Sequence, residues 1–335
     1  MARTAVVLFN LGGPDSPAAV EPFLFNLFND PAIIGAPLPV RWLIAKLVSR
    51  RRAPTARAIY ERIGGASPLL PETQAQVRAL EAELGADYRV LIAMRYWHPF
   101  TEQAVAEAKE WGAEHVVLLP LYPQFSTTTT GSSLKAWRKA AARAGLDVPT
   151  RTVCCYPSQT GLVRAMADLV RTGWAEASAR GRPRVLFSAH GLPKNVVNKG
   201  DPYPLHVAET AAAVAAATEI PDLDWAVCYQ SRVGPMEWIG PSTEDELARA
   251  GNDKVPVVVA PIAFVSEHSE TLVELDIEYR HRADALGVPG YVRASAAGCH
   301  PAFISGLADL IRDPGHLRGR ACAAAGRTCV LEGVP

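Results

Sequence analysis

Between Ala260 and Tyr279 the chain reads APIAFVSEHSETLVELDIEY, with acids recurring at Glu270, Glu274 and Glu278. On an α-helix four residues make one turn plus about 40°, so these carboxylates share a slowly drifting face. No Lys or Arg stands among them before Arg280, so like charges repel where a surface helix would pair Glu with Lys. Two readings account for such a ladder: a solvated acidic face, or an oxygen-rich site for a divalent cation such as Mg²⁺, Ca²⁺ or Fe²⁺. His268 beside the ladder and His190 in LFSAHGLPK favour the second. An imidazole facing carboxylates can take up protons near neutral pH or ligate a metal. A lone histidine near a strand end is more often structural; here the following Gly191 permits the close backbone approach of a site.

The elements that must hold these residues are short β-branched runs ending in Gly or Pro. They are Ala5–Asn10, Arg89–Tyr96, His115–Leu121, Arg184–Ala189, Trp225–Gln230 and Val255–Ile262. Helical patterns such as Pro71–Leu84, Thr101–Trp111 and Gly161–Ala177 separate them, which predicts α/β architecture with parallel sheets and right-handed crossovers. Runs apolar at every position suit strands covered on both faces. The order repeats: AVVLFNLGGP corresponds to RVLFSAHGLP, VLIAMRYWHP to AVCYQSRVGP, and HVVLLPLYPQFS to VVVAPIAFVSEH. Two similar doubly wound (Rossmann-like) domains are therefore expected, over 1–148 and 149–315, with an extension over 316–335. Ligands of such sheets sit beyond strand carboxyl ends, and a cleft between two domains is a natural site. His190, Arg95, Gln230, Arg232 and the Glu267–Glu270 segment all fall at such ends.

The 335 residues include 34 basic and 34 acidic side chains, so no global field attracts nucleic acid. The amino terminus lacks a signal-peptide pattern and no apolar run reaches membrane-spanning length. Six cysteines without an export signal suggest free thiols or metal ligands, and the expectation is a cytoplasmic enzyme. Gly12-Gly13-Pro14, Ile63–Pro68 and Thr127–Ser133 could cradle anions, but no GxxxxGK[ST] or GxGxxG occurs. Turns and caps are the simpler reading, and no nucleotide is expected. The segment 22–52 carries many large apolar residues, three internal prolines and Arg50–Arg52. Prolines argue against a buried helix. An apolar lip formed by Phe23, Leu24, Ile33, Ile34, Trp42 and Leu43, with the arginines near anionic headgroups, explains both features; a loop and helix on the core is the alternative.

Together these residues resemble the ferrochelatases, which insert ferrous iron into a porphyrin. The resemblance runs over nearly the whole chain, through NLGGP, IGGASPL, MRYWHP, LYPQFSTTTTGSS, SAHGLP, YQSRVGPMEWIGP and APIAFVSEHSETLVELDIEY. It implies His190 as the catalytic histidine opposite Glu270, with Glu270, Glu274 and Glu278 as a conduit for metal or protons on a partly π-wound helix. His190 would take pyrrole protons, bind the incoming iron, or both. Arg95 and Tyr96 match pocket positions; Leu11, Tyr60, Tyr122 and Trp238 match residues around the macrocycle, with Ser126 and His268 close by. Glu267 stands where animal members have Asp. The substrates implied are Fe²⁺ and a porphyrin, with protoporphyrin IX favoured over coproporphyrin by the apolar lip and the lack of basic propionate clusters. A peripheral contact with the inner face of the cytoplasmic membrane is implied, and the oligomeric state stays open between monomer and homodimer. Animal members also carry a [2Fe–2S] cluster, but their distant ligand position is Thr127 here. Cys154, Cys155, Cys322 and Cys329 are the candidate cluster ligands, with reduced unligated thiols as the alternative. Cys228 and Cys299 read as buried free thiols. The rivals are a cobalt or nickel chelatase of the same fold, and a metal- or heme-binding module without turnover.

Overall fold

A computed structural model describes residues 2–232, 234 and 236–313. The described residues form two compact units, residues 2–155 with 307–313, and residues within 156–306. The extension carrying Cys322 and Cys329 lies outside the described residues.

The first unit runs β1 (Thr4–Asn10), α1 (Val20–Phe28), α2 (Leu38–Glu61), α3 (Leu69–Leu84), β2 (Tyr88–Met94), α4 (Thr101–Glu110), β3 (His115–Pro120), α5 (Thr130–Ala144) and β4 (Thr150–Thr152). Its strands form one parallel sheet in the order β2-β1-β3-β4. The second unit holds α6 (Thr160–Ala177), β5 (Arg184–His190), α7 (Lys194–Val197), α8 (Tyr203–Ala217), β6 (Asp224–Gln230), α9 (Thr243–Asp253) and β7 (Val257–Pro261). A π-helix (Glu270–Glu278), α10 (Tyr279–Ala285) and β8 (Tyr291–Arg293) follow, and α11 (Pro301–Arg312) begins in the second unit and ends in the first. The sheet of the second unit, β6-β5-β7-β8, is also parallel and has the same strand order. The expected α/β class and the internal repeat are thus both present: β5, β6 and β7 are the counterparts of β1, β2 and β3. The central strands β1 and β5 are buried almost throughout, as all-apolar runs covered on two faces require.

Segment 22–52 departs from the expectation drawn from its prolines, because it is mostly helical. Pro22 and Pro39 fall in the first turns of α1 and α2, where no intrahelical N–H bond is lost, and Pro31 and Pro37 lie in the connection between them. Phe23 and Leu24, expected at the lip, instead join Val20, Ala53, Tyr60 and Tyr96 in a buried cluster. The exposed large apolar residues of this segment are Leu38, Val40, Trp42, Leu43, Ile44 and Leu47 on α2, with Ile33 before it. Among the described residues no helix is long and apolar enough to cross a membrane.

The glycine-rich stretches serve packing. Gly12 has φ +83°, and a Cβ on Gly13 would lie 2.4 Å from Ser67 Oγ. The Ser67 amide donates to Pro14 O at 2.8 Å, so NLGGP and IGGASP hold each other.

Candidate active site

In the second unit, β5 ends at His190 and β6 at Gln230, in register with each other. A side chain on Gly191 would put its Cβ 2.8 Å from Gln230 O and 3.2 Å from the Trp238 ring, which explains the glycine after the histidine. Trp238 bridges back to Pro193.

His190 Nδ1 lies 2.7 Å from Glu270 Oε2, while its side chain remains 43% exposed. Ser231 Oγ sits 2.9 Å from the same oxygen and 2.5 Å from Glu274 Oε2. Glu274 Oε1 also accepts from the Ser231 amide at 2.8 Å and from Tyr279 Oη at 3.1 Å. Gln230 Nε2 reaches Glu274 Oε2 at 3.4 Å. A hydroxyl has one hydrogen to give, so Ser231 cannot donate to both carboxylates at once. The second contact is relieved when Glu274 carries a proton. Ser231 has φ +60°, a left-handed conformation uncommon for a non-glycine residue and characteristic of functional turns.

The electrostatics match. Burial acts to raise the Glu270 carboxyl, but the charge and hydrogen bond of His190, helped by His268 and Ser231, hold it well below the usual carboxylate range. Burial disfavours the His190 cation, yet Glu270 and Glu274 leave the imidazole more basic than usual. Burial, then the neighbouring Glu270 charge, raises Glu274. The pair and its neighbour therefore hold protons at adjacent, different affinities. His268 is buried, packs against Phe264 at 4.3 Å, and accepts at Nδ1 from the Thr271 amide at 3.4 Å; burial makes it less basic.

The π-helix puts Glu270 and Glu274 beside Ser231. Its i→i+5 bonding widens the turn, so ladder positions four apart no longer advance as on an α-helix. Glu278 ends the run exposed. Glu267 faces elsewhere, accepting from Arg293 Nη1 at 2.9 Å. Arg232 is exposed and lies 4.0 Å from Asp245. The site is an open array: among the described residues no three His, Cys, Asp or Glu side chains close into a metal site.

In the first unit, Arg95 and Tyr96 continue the β2 ladder, their amides donating to Asn10 O and Leu11 O. Arg95 Nη2 meets Asp30 Oδ2 at 2.8 Å, and Arg95 Nε donates to Ser132 Oγ at 2.7 Å. Ser132 Oγ and Tyr96 Oη donate to the same Asp30 oxygen at 2.5 and 2.9 Å. Asp30 is 3% exposed and Tyr96 1%, and burial with the Asp30 charge raises the Tyr96 phenol well above its usual range. Leu11 packs on the cluster that contains Tyr60 and Tyr96. Tyr122 is half-buried beside the β1–β3 core, its phenol raised by burial. Ser126 is buried and its Oγ lies 2.8 Å from Thr128 Oγ1.

Sequence reasoning missed Ser231 and Asp30. The first follows the strand end YQ in a quoted motif; the second is a lone acid in an apolar segment, a pattern that asks for a buried partner.

Among the described residues the cysteines form no cluster site, and Cys322 and Cys329 lie outside them. Cys154 and Cys155 are partly buried after β4, and Cys228 is buried, its thiol pushed up to about 12 by burial. Cys299, expected buried, is exposed because it lies in the turn before α11. The described residues therefore do not show a fit to a [2Fe–2S] cluster.

The ferrochelatase family model matches residues 3–314. A ferrochelatase of Caulobacter vibrioides is 54% identical over 333 residues, covering 98% of this chain and 95% of that protein. The ferrochelatase of Hyphomonas neptunium is 53% identical, covering 98% and 92%. Among solved structures, SirB from Bacillus subtilis with Fe³⁺ aligns with a TM-score of 0.56 at 13% identity, covering 97% of this chain and 98% of that one, a likeness of fold alone. With a family match over nearly its full length, the chain belongs to the ferrochelatase family and is a metal chelatase, a lyase of heme biosynthesis.

Proposed function

We propose that the chain inserts Fe²⁺ into protoporphyrin IX, with His190 and Glu270 as the reacting pair. The observation that carries this reading is the 2.7 Å contact between His190 Nδ1 and Glu270, backed by Ser231 and Glu274. With Nδ1 donating to Glu270, His190 Nε2 keeps a lone pair for a pyrrole proton or for iron. The anionic Glu270 stabilises the imidazolium that proton uptake creates. Metalation releases two pyrrole protons; the imidazole receives one, and the Glu274 carboxylate, whose protonation relieves the second Ser231 contact, receives the other. Exposed Glu278, then Glu274 and Glu270, give Fe²⁺ successive hard oxygen ligands in place of its water.

Leu11, Tyr60, Arg95, Tyr96, Tyr122, Ser126, Trp238 and His268 are the proposed porphyrin-binding residues. Aromatic and apolar walls can hold a bent macrocycle, with remote burial offsetting the strain and exposing the ring nitrogens. The exposed face of α2 supports peripheral docking on the cytoplasmic membrane: Leu38, Trp42, Leu43 and Leu47 lie near exposed Arg50, Arg51 and Arg52. An anaerobic assay of purified protein with Fe²⁺ and either protoporphyrin or coproporphyrin tests the proposal. Faster turnover of protoporphyrin is expected; preference for coproporphyrin would overturn the substrate assignment, and turnover with cobalt but not iron would overturn the metal.

A further inference from the structure

Long π-helical runs are uncommon, because i→i+5 bonding is a marginal alternative to the α-helix. The nine residues Glu270–Glu278 therefore need support from outside the run. The edge strand β8 supplies it. Arg293 has a side chain only 11% exposed; its Nε donates to Asp276 Oδ1 at 2.7 Å and its Nη1 to Glu267 Oε1 at 2.9 Å. One guanidinium thus ties a residue before the π-helix to a residue inside it, on either side of Glu270 and Glu274. Two positions earlier on β8, Tyr291 Oη donates to the Leu275 carbonyl at 2.6 Å, a buried bond to the π-helical backbone. Arg280 closes the group, donating to Tyr291 O at 2.8 Å and lying 5.0 Å from that ring's centre. Glu267 is itself fixed by the Ala296 amide at 2.9 Å.

Glu267 and Asp276 are nine positions apart in the chain, so their separation and relative rotation depend on how the helix is wound. A rigid planar fork that binds both carboxylates suits one winding and not another. Rewinding to α would move Asp276 away from the fork and turn Glu270 relative to His190.

We propose that Arg293 is a positioning residue that locks the π register, setting Glu270 against His190 and Glu274 against Ser231. This rests on the reading of His190 and Glu270 as the reacting pair. A role in stability alone is a poor account, since a buried ion group often contributes little net stability over apolar packing.

The test uses the full chain as Arg293→Met and as the uncharged triple variant Arg293→Met, Glu267→Gln, Asp276→Asn. The triple variant removes the carboxylates that the single change strands, so it keeps the test alive if Arg293→Met does not fold. For the single variant we expect kcat to fall about 10- to 100-fold, as for other residues that orient metal ligands, with porphyrin Kd within about threefold. The triple variant should regain thermal stability without regaining kcat, and its crystal structure should show Glu270 withdrawn from the 2.7 Å contact with His190. Restored turnover in the triple variant, or an intact π-helix and His190–Glu270 contact in its crystal, would overturn the proposal. The crystallographic arm is independent of activity. An active His190→Ala enzyme would sink the reading of the pair while leaving the Arg293 geometry to be judged by structure.

Discussion

Each unit holds an ionic array at strand carboxyl ends, Arg95 just past the edge strand β2 and His190 at the end of the central strand β5, and the two arrays are built to opposite ends. In the first unit the charges close on themselves. One carboxylate, Asp30, meets one guanidinium, Arg95, and its remaining capacity is taken by Ser132, Tyr96 and the Ala32 amide. The strand beside it ends in Asn10, a neutral amide bonded to Thr73 and to its own chain. In the second unit β5 ends in His190, and two carboxylates face one imidazole with a single hydroxyl between them. The difference teaches what each array is for. A closed pair fixes geometry, whereas an array short of positive charge and protons has capacity left for both, which is what metalation of a porphyrin asks of it.

Replacing His190 by Ala should break the open array most severely. General-base catalysis typically contributes 10²–10⁴-fold, so insertion should fall about 10³-fold, with porphyrin affinity retained within about tenfold. Turnover near wild type in a steady-state insertion assay would remove His190 from the chemistry.

The outward face of α2 belongs to neither array and provides an independent check on how the first unit is used. Polar substitution of Leu38, Trp42, Leu43 and Leu47 together should weaken sedimentation with anionic vesicles by about 100-fold, at roughly a threefold effect for each apolar side chain about half inserted into the interface. Unchanged sedimentation with normal folding would count against membrane docking.

The closed array should respond in stability first. Asp30→Asn removes the only carboxylate that Arg95 meets in an ion pair among the described residues. Arg95 is partly solvated, so the expected loss is about 2 kcal/mol, below that of a fully buried pair, read as a lower urea midpoint. A change within error would mean that the pair contributes little.

The smallest expected effect is a slope. Burial favours neutral Glu267, but Arg293 and the Ala296 amide hold its carboxyl below the usual range. A depressed carboxyl contributes stability above its unfolded pKa, near 4.3, that disappears as pH falls through the folded value. Stability measured between pH 6 and pH 2.5 should therefore decline less steeply in Glu267→Gln than in wild type. Parallel curves would show that this carboxylate does not titrate as the Arg293 contact requires.

The parts of this molecule legible in the chain were those with local signals. Strands β1 and β7 are apolar at most positions and β5 carries the apolar run Val185–Phe187, and their repeated order was visible in NLGGP and AHGLP as turns after matched runs. β4 and β8 are three residues each, TRT and YVR, too short for any periodicity to mark. The α2 helix was obscured by prolines that sit in its first turn and in the preceding connection. Within the site, His190 and the Glu270–Glu274 spacing could be read directly. Ser231 could not, because its role depends on a left-handed backbone and on two carboxylates from a distant helix. Asp30 and Arg293 were invisible for the same reason: each acts through partners that only the tertiary fold brings to hydrogen-bond distance.

The central claim is that the uncompensated charge at Glu270 makes His190 a proton acceptor for metalation. Glu270→Gln keeps the shape of the side chain and removes that charge, so the direct measurement is the pH dependence of anaerobic Fe²⁺ insertion for this variant beside wild type. In the proposed mechanism His190 acts in its neutral form and is made more basic by Glu270, so wild-type activity should rise with pH through an apparent pKa above the usual histidine value. In Glu270→Gln that limb should move to lower pH while the plateau rate falls about 100-fold with porphyrin affinity unchanged. A variant with the wild-type plateau and an unmoved limb would contradict the account.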